Sequence, residues 1–235
     1  MFRMFAVAIL ASGIAAAATI EVTGIGLGDS NIYVKENGTD ANVYFAGVIN
    51  IQLINSAGTF NRTTMCVQLF VDINEYQVYN TGVYLPSQVA PSSTAAELEQ
   101  IAWLLDNVTP TTNDQAAGLQ LAIWKIAQDG VDTGSNLSFT TGTVQEATGT
   151  YTTNATVLSD AQGYLADSVG NSTNIAYVYE NATTGSNPTP AQMLEGLEYH
   201  DGGPVPTTPE SSTFVMAGVA LLALRQTAWR KLRNR

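Results

Sequence analysis

The sequence predicts an α+β domain, with a β-rich core (sandwich or barrel-like) carrying a small helical layer. Two observations carry this. Residues 19–85 are rich in β-branched and aromatic side chains with partial apolar–polar alternation, the composition of half-buried strands. From about residue 94 the apolar positions switch to helical spacing, in three segments separated by Gly, Asn and Thr clusters.

Taken in order, residues 42–45 and 48–53 read as strands, as does 63–73. In that last run Met65, Val67, Leu69, Val71 and Ile73 alternate onto one apolar face, leaving Cys66, Gln68, Phe70 and Asp72 on the other. Gly24, Gly26 and Gly28 lack the Gly-x-Gly-x-x-Gly spacing of a dinucleotide loop and indicate a turn or bulge. Residues 76–85 predict a strand pair turning at 80–82. A first helix spans 94–107, with Thr94 and Glu97 spaced as a capping box. A second begins near Asn113 or Asp114 and stops at Asp129, before Gly130. A third covers 155–169, with Val157, Leu158, Ala161 and Leu165 inward. Residues 136–153 predict a hairpin and 174–179 a closing strand.

Charge and composition exclude several functions. The stretch 21–210 holds all twenty carboxylates but only Lys35, Arg62 and Lys125, a net charge of −17. Such a body repels phosphate backbones, so no nucleic-acid partner is expected. The single histidine, His200, leaves no His-cluster metal site and no Ser-His-Asp triad. No EF-hand spacing occurs, and neither metal nor cofactor is expected.

The ends read as addresses. Residues 1–18 have Arg3, an apolar run and Ala16-Ala17-Ala18, the layout of a signal peptide cut before Thr19. A domain over 19–200 follows, then a Pro/Gly/Thr linker at 201–208. Residues 209–235 hold Pro209-Glu210-Ser211-Ser212-Thr213, an eleven-residue apolar run and a basic tail.

Cys66 is the only cysteine, so no internal disulfide can form. Gln120 falls in the stripe Ala116, Gln120, Ile123, Ala127 of the second helix, where an apolar side chain would serve better. One covalent bond resolves both oddities: a thioester from the Cys66 sulfur to the Gln120 side-chain carbonyl. A free buried Cys66 acting as a small hydrophobe is the simpler alternative.

Cys66 on a strand, followed by Leu119-Gln120-Leu121-Ala122-Ile123-Trp124 on a helix, resembles the Cys–Gln thioester-domain surface adhesins of bacteria. The preceding 101–107 segment resembles theirs too, and the likeness covers roughly 19–200. The C-terminal layout resembles the PEP-CTERM sorting signal, with Ser211 where that motif has its second proline. The resemblance implies an exported adhesin, not a turnover enzyme, that acylates amine groups on a target through the Cys66–Gln120 thioester, shielded from water by Trp124 and Phe70. It implies an exosortase-like sorting peptidase as a partner, a transient membrane anchor, and a cell-surface or extracellular-matrix location. Two other classes remain: a non-covalent matrix structural protein with Cys66 free, and a hydrolase using Cys66, for which no general base is evident.

Overall fold

The computed structural model describes residues 16–36, 38, 41–69, 73–89, 92–131, 137–147, 149, 152–183 and 193–197. Apart from residues 16–18, the expected signal segment, the linker and the sorting segment lie outside these. So do Pro209, Glu210, Ser211, Ser212 and Thr213, and so do Phe70 and Asp72. Ala17–Gly203 forms one compact unit.

The domain is α+β with a β-rich core. Its strands are β1 (Ala16–Glu36), β2 (Ala41–Asn55), β3 (Gly58–Cys66), β4 (Val78–Tyr84), β5 (Val144–Glu146), β6 (Tyr177–Thr183) and β7 (Leu194–Gly196). The sheet order is β2-β3-β7-β6-β4-β1-β5, and β1 also pairs with β2. The order therefore returns on itself. Six strands close a barrel, and β5 adds to β1 at Val34–Glu36. Closure removes the free edges that a long flat sheet would expose.

The strands were built for this by alternation. In β1 and β2, Ile20, Val22, Ile32, Val34, Ile49, Ile51 and Leu53 are buried, while their sequence neighbours are half-buried or exposed. Each fully buried Val or Ile contributes about 1.5–3 kcal/mol relative to exposure. The register of β1 slips at Val22/Gly24, Ile25/Gly28 and Asp29/Ile32, so the glycine-rich run is a series of bulges within one strand. At the pair Gly28↔Gly47 the two strands approach so closely that a Cβ on Gly47 would collide with the Leu27 carbonyl.

Three helices cover the barrel: α1 (Ser92–Asn107), α2 (Asn113–Asp129) and α3 (Ala155–Ser168). The Thr112 hydroxyl caps α2 by accepting the Gln115 N–H, and Asn154 caps α3 by accepting that of Thr156. Residues 116–126 of α2 are all buried, so this helix is enclosed on every side. Gly118 lets it press against α3, since a Cβ there would lie 2.8 Å from the Asp160 Cβ.

Several local expectations are corrected. α1 starts at Ser92, so Thr94 lies inside the first turn and caps nothing. Residues 78–84 run straight through the expected turn as one strand, because pairing with β6 continues unbroken from Tyr79 to Tyr84. Residues 144–146 pair with β1, the Glu146 N–H also reaches back to the Phe139 carbonyl, and the closing strand lies at 177–183. In α3, Val157, Ala161 and Leu165 are buried as expected, whereas Leu158 is only half-buried.

Candidate functional site

β3 ends at Cys66, whereas alternation had extended it to Ile73. β2 holds β3 only as far as Ile49↔Thr64. On the other edge Met65 and Cys66 stand opposite Glu195 and Leu194 of β7, and the Val67 N–H donates to the Met193 carbonyl at 2.9 Å. Val67 thus bonds toward β7, and in an antiparallel pair the next residue turns its N–H and carbonyl the opposite way. Those two groups of Cys66 face an edge that β2 has already left.

Gln120 fills that vacancy. Its Oε1 accepts the Cys66 N–H at 3.0 Å, and its Nε2 donates to the Cys66 carbonyl at 2.6 Å. The amide reproduces the donor–acceptor pair of a neighbouring strand residue. Gln120 is 1% exposed and Cys66 7%. A glutamine within a buried helix is stable here because both ends of its amide are satisfied.

Cys66 and Met65 take opposite faces, as alternation predicts, and the pairing shows which face is interior. Asn61 and Thr63 are exposed, while Arg62 and Thr64 are buried opposite Ile51 and Ile49. Cys66 follows the even-numbered set, so its side chain lies on the barrel-interior side with that of Leu194. The odd-numbered face, which alternation marked as apolar, is exposed at Asn61 and Thr63 and buried at Met65, Val67 and Leu69. Both faces are covered at this end, so apolar count alone cannot tell inside from outside.

Burial pushes the Cys66 thiol up to about 12, so it is held as the neutral thiol. Trp124 lies one turn beyond Gln120, is 2% exposed, and packs edge-on against Tyr44 of β2 with centroids 5.9 Å apart. It belongs to the dry surroundings of the pair. Glu75 is exposed at the surface.

Two features were missed by sequence reasoning. Lys125, 1% exposed, donates to the Thr141 and Val144 carbonyls and pairs with Asp129 at 2.7 Å. Asp129 in turn accepts the Thr143 and Val144 N–H groups. Burial alone would raise the Asp129 carboxyl, but the Lys125 hydrogen bond, the two N–H bonds and the Lys125 charge bring it below the usual range. The signal available was the i, i+4 spacing of Lys125 and Asp129. The second feature is Glu195, fully buried, with neither carboxyl oxygen bonded among the described residues. Burial drives its pKa well above the ordinary carboxylate range, which makes it a neutral acid. It stands opposite Met65, on the face turned away from Cys66. No pattern in the sequence marks residues 194–196 as a strand.

Among the described residues no cluster of three His, Cys, Asp or Glu side chains could hold a metal, and no helix is long and apolar enough to cross a membrane. In comparison with known protein families, curated proteins and solved structures, the chain matches none.

Proposed function

We propose that this chain is an exported surface adhesin in which Cys66 and Gln120 form an internal thioester that acylates amines on a target. The observation that carries the reading is the pairing of the Gln120 amide with the Cys66 backbone inside a dry core. It holds the carbonyl carbon to be attacked within the same residue neighbourhood as the nucleophile, which converts a bimolecular step into a local one. The Cys66 N–H already bonds Oε1, where negative charge would develop as sulfur adds to Cδ.

In the reaction the sulfur–Cδ bond forms, the Cδ–Nε2 bond breaks, and the thiol proton leaves with nitrogen as ammonia. A primary amine later attacks the same carbon. The new C–N bond replaces C–S, one amine proton returns to sulfur, and the target is joined through an amide. Each molecule reacts once, so this is attachment and not turnover. In this reading the 209–235 segment directs surface sorting through an exosortase-like peptidase after transient membrane anchoring.

The measurement is the intact mass of the folded protein. The thioester reading expects a chain one ammonia lighter than its sequence and resistant to thiol alkylation, with methylamine restoring a free thiol and remaining attached at Gln120. A full-mass chain would sink it. That result would favour a non-covalent structural protein, which one observation already supports: the amide by itself satisfies the Cys66 edge, so Gln120 has a role without any covalent bond.

A further inference from the structure

We infer that the outer face of β1–β3 is a binding site for a neutral carbohydrate. A depression of about 610 Å³ opens there, lined in part by Thr23, Asn50, Gln52, Asn61 and Thr63. The register places Asn50 beside Thr63 and Gln52 beside Asn61. Cross-strand partners share a face. They form a grid spaced about 4.8 Å across strands and about 6.7 Å along them.

Three properties fix the ligand class. First, the side chains of Asn50, Gln52, Asn61 and Thr63 make no hydrogen bond within the protein among the described residues, so their donors and acceptors are free. The backbone beneath them is satisfied by the ladder, which makes this a rigid array. Second, each amide presents a donor and an acceptor side by side, the complement of a pair of neighbouring hydroxyls. Third, among the described residues Arg62 is the only cationic one lining the depression, and it is buried. The Arg62 guanidinium donates to the Asn61 carbonyl at 2.8 Å and lies 5.3 Å from the Phe60 ring centroid. Glu21 joins the Gln52 row from β1 and adds negative charge. An acidic polymer therefore meets only one buried cation and a neighbouring carboxylate, while a polyol loses little on transfer to neutral amides. Small-molecule sites commonly range from about 300 to 1,000 Å³, which this depression matches. The inference does not depend on the chemistry at Cys66.

Calorimetric titration of the full chain tests it, with neutral pentasaccharides of glucose, galactose and mannose, a sulfated pentasaccharide and an extended neutral peptide as probes. At least one neutral pentasaccharide should bind saturably and more tightly than the sulfated sugar or the peptide. The double variant Asn50→Ala/Asn61→Ala should weaken that binding at least tenfold while keeping the wild-type melting temperature. Asn61→Asp, which keeps shape but adds charge, should weaken it less, by several-fold. Absence of saturable binding by all three neutral sugars would overturn the site. So would equal or tighter binding of the peptide or the sulfated sugar, or unchanged affinity in the folded double variant.

Discussion

Helix α2 clamps strand backbone at two places five residues apart in sequence, by opposite means. At Gln120 a neutral amide holds one residue of β3 through one donor and one acceptor. At Lys125 and Asp129 an ion pair holds 141–144 through two donated and two accepted bonds. The contrast shows what each is suited for. Charges give stronger hydrogen bonds but must stay paired once buried. An amide asks less of its surroundings, and here it bonds the backbone of the residue that carries the thiol. The charged clamp fits a permanent fastening, and the neutral one fits the position that the proposed thioester would use.

The comparison breaks hardest at the charged end. Asp129→Ala leaves Lys125 buried without its counter-ion and should lower unfolding free energy by about 3–5 kcal/mol in urea titration. At the neutral end Gln120→Ala orphans the Cys66 N–H and carbonyl. The expected loss is about 1–3 kcal/mol per buried group left unbonded. A smaller loss than at Asp129 supports the contrast, and an equal or larger one removes it.

Glu195 supplies a third case, a buried acid with no hydrogen-bond partner among the described residues. Glu195→Met removes an unpartnered carboxyl and should stabilise the protein by about 1–3 kcal/mol near neutral pH. The acid groups also divide by the sign of their pH dependence. Asp129 is depressed below 3.8, so its contribution is complete above that value and is lost as pH falls through the lower folded pKa. Glu195 is raised, so its contribution is complete below the ordinary 4.5 and is lost as pH rises through its folded pKa. Denaturation followed across pH in D129N and E195Q should remove the acid-side and the rising-pH losses respectively.

The smallest effects sharpen the neutral end. Cys66→Ala should cost about 1 kcal/mol, because it removes one atom and leaves the Gln120 bonds to the backbone intact. A free thiol raised from 9.0 to about 12 contributes stability that is full below pH 9 and lost between 9 and 12. Cys66→Ala should flatten that alkaline decline if the native chain holds a thiol, and change nothing there if sulfur is already acylated.

The sequence by itself determined the fold class, the bounds of α2 and α3 to within a residue, the burial of Gln120 and the irregularity of the glycine run, as a turn or bulge. Each rests on local information: period, caps, and the backbone freedom of glycine. The tertiary structure alone decided that β1 meets both β2 and β4, and that the three residues of β7 complete the wall beside Cys66. It alone placed Cys66 on the interior side and gave Lys125 its four-atom clamp. These depend on partners far away in the chain. The edge left bare by β2, which the Gln120 amide fills, exists only once the strands have paired.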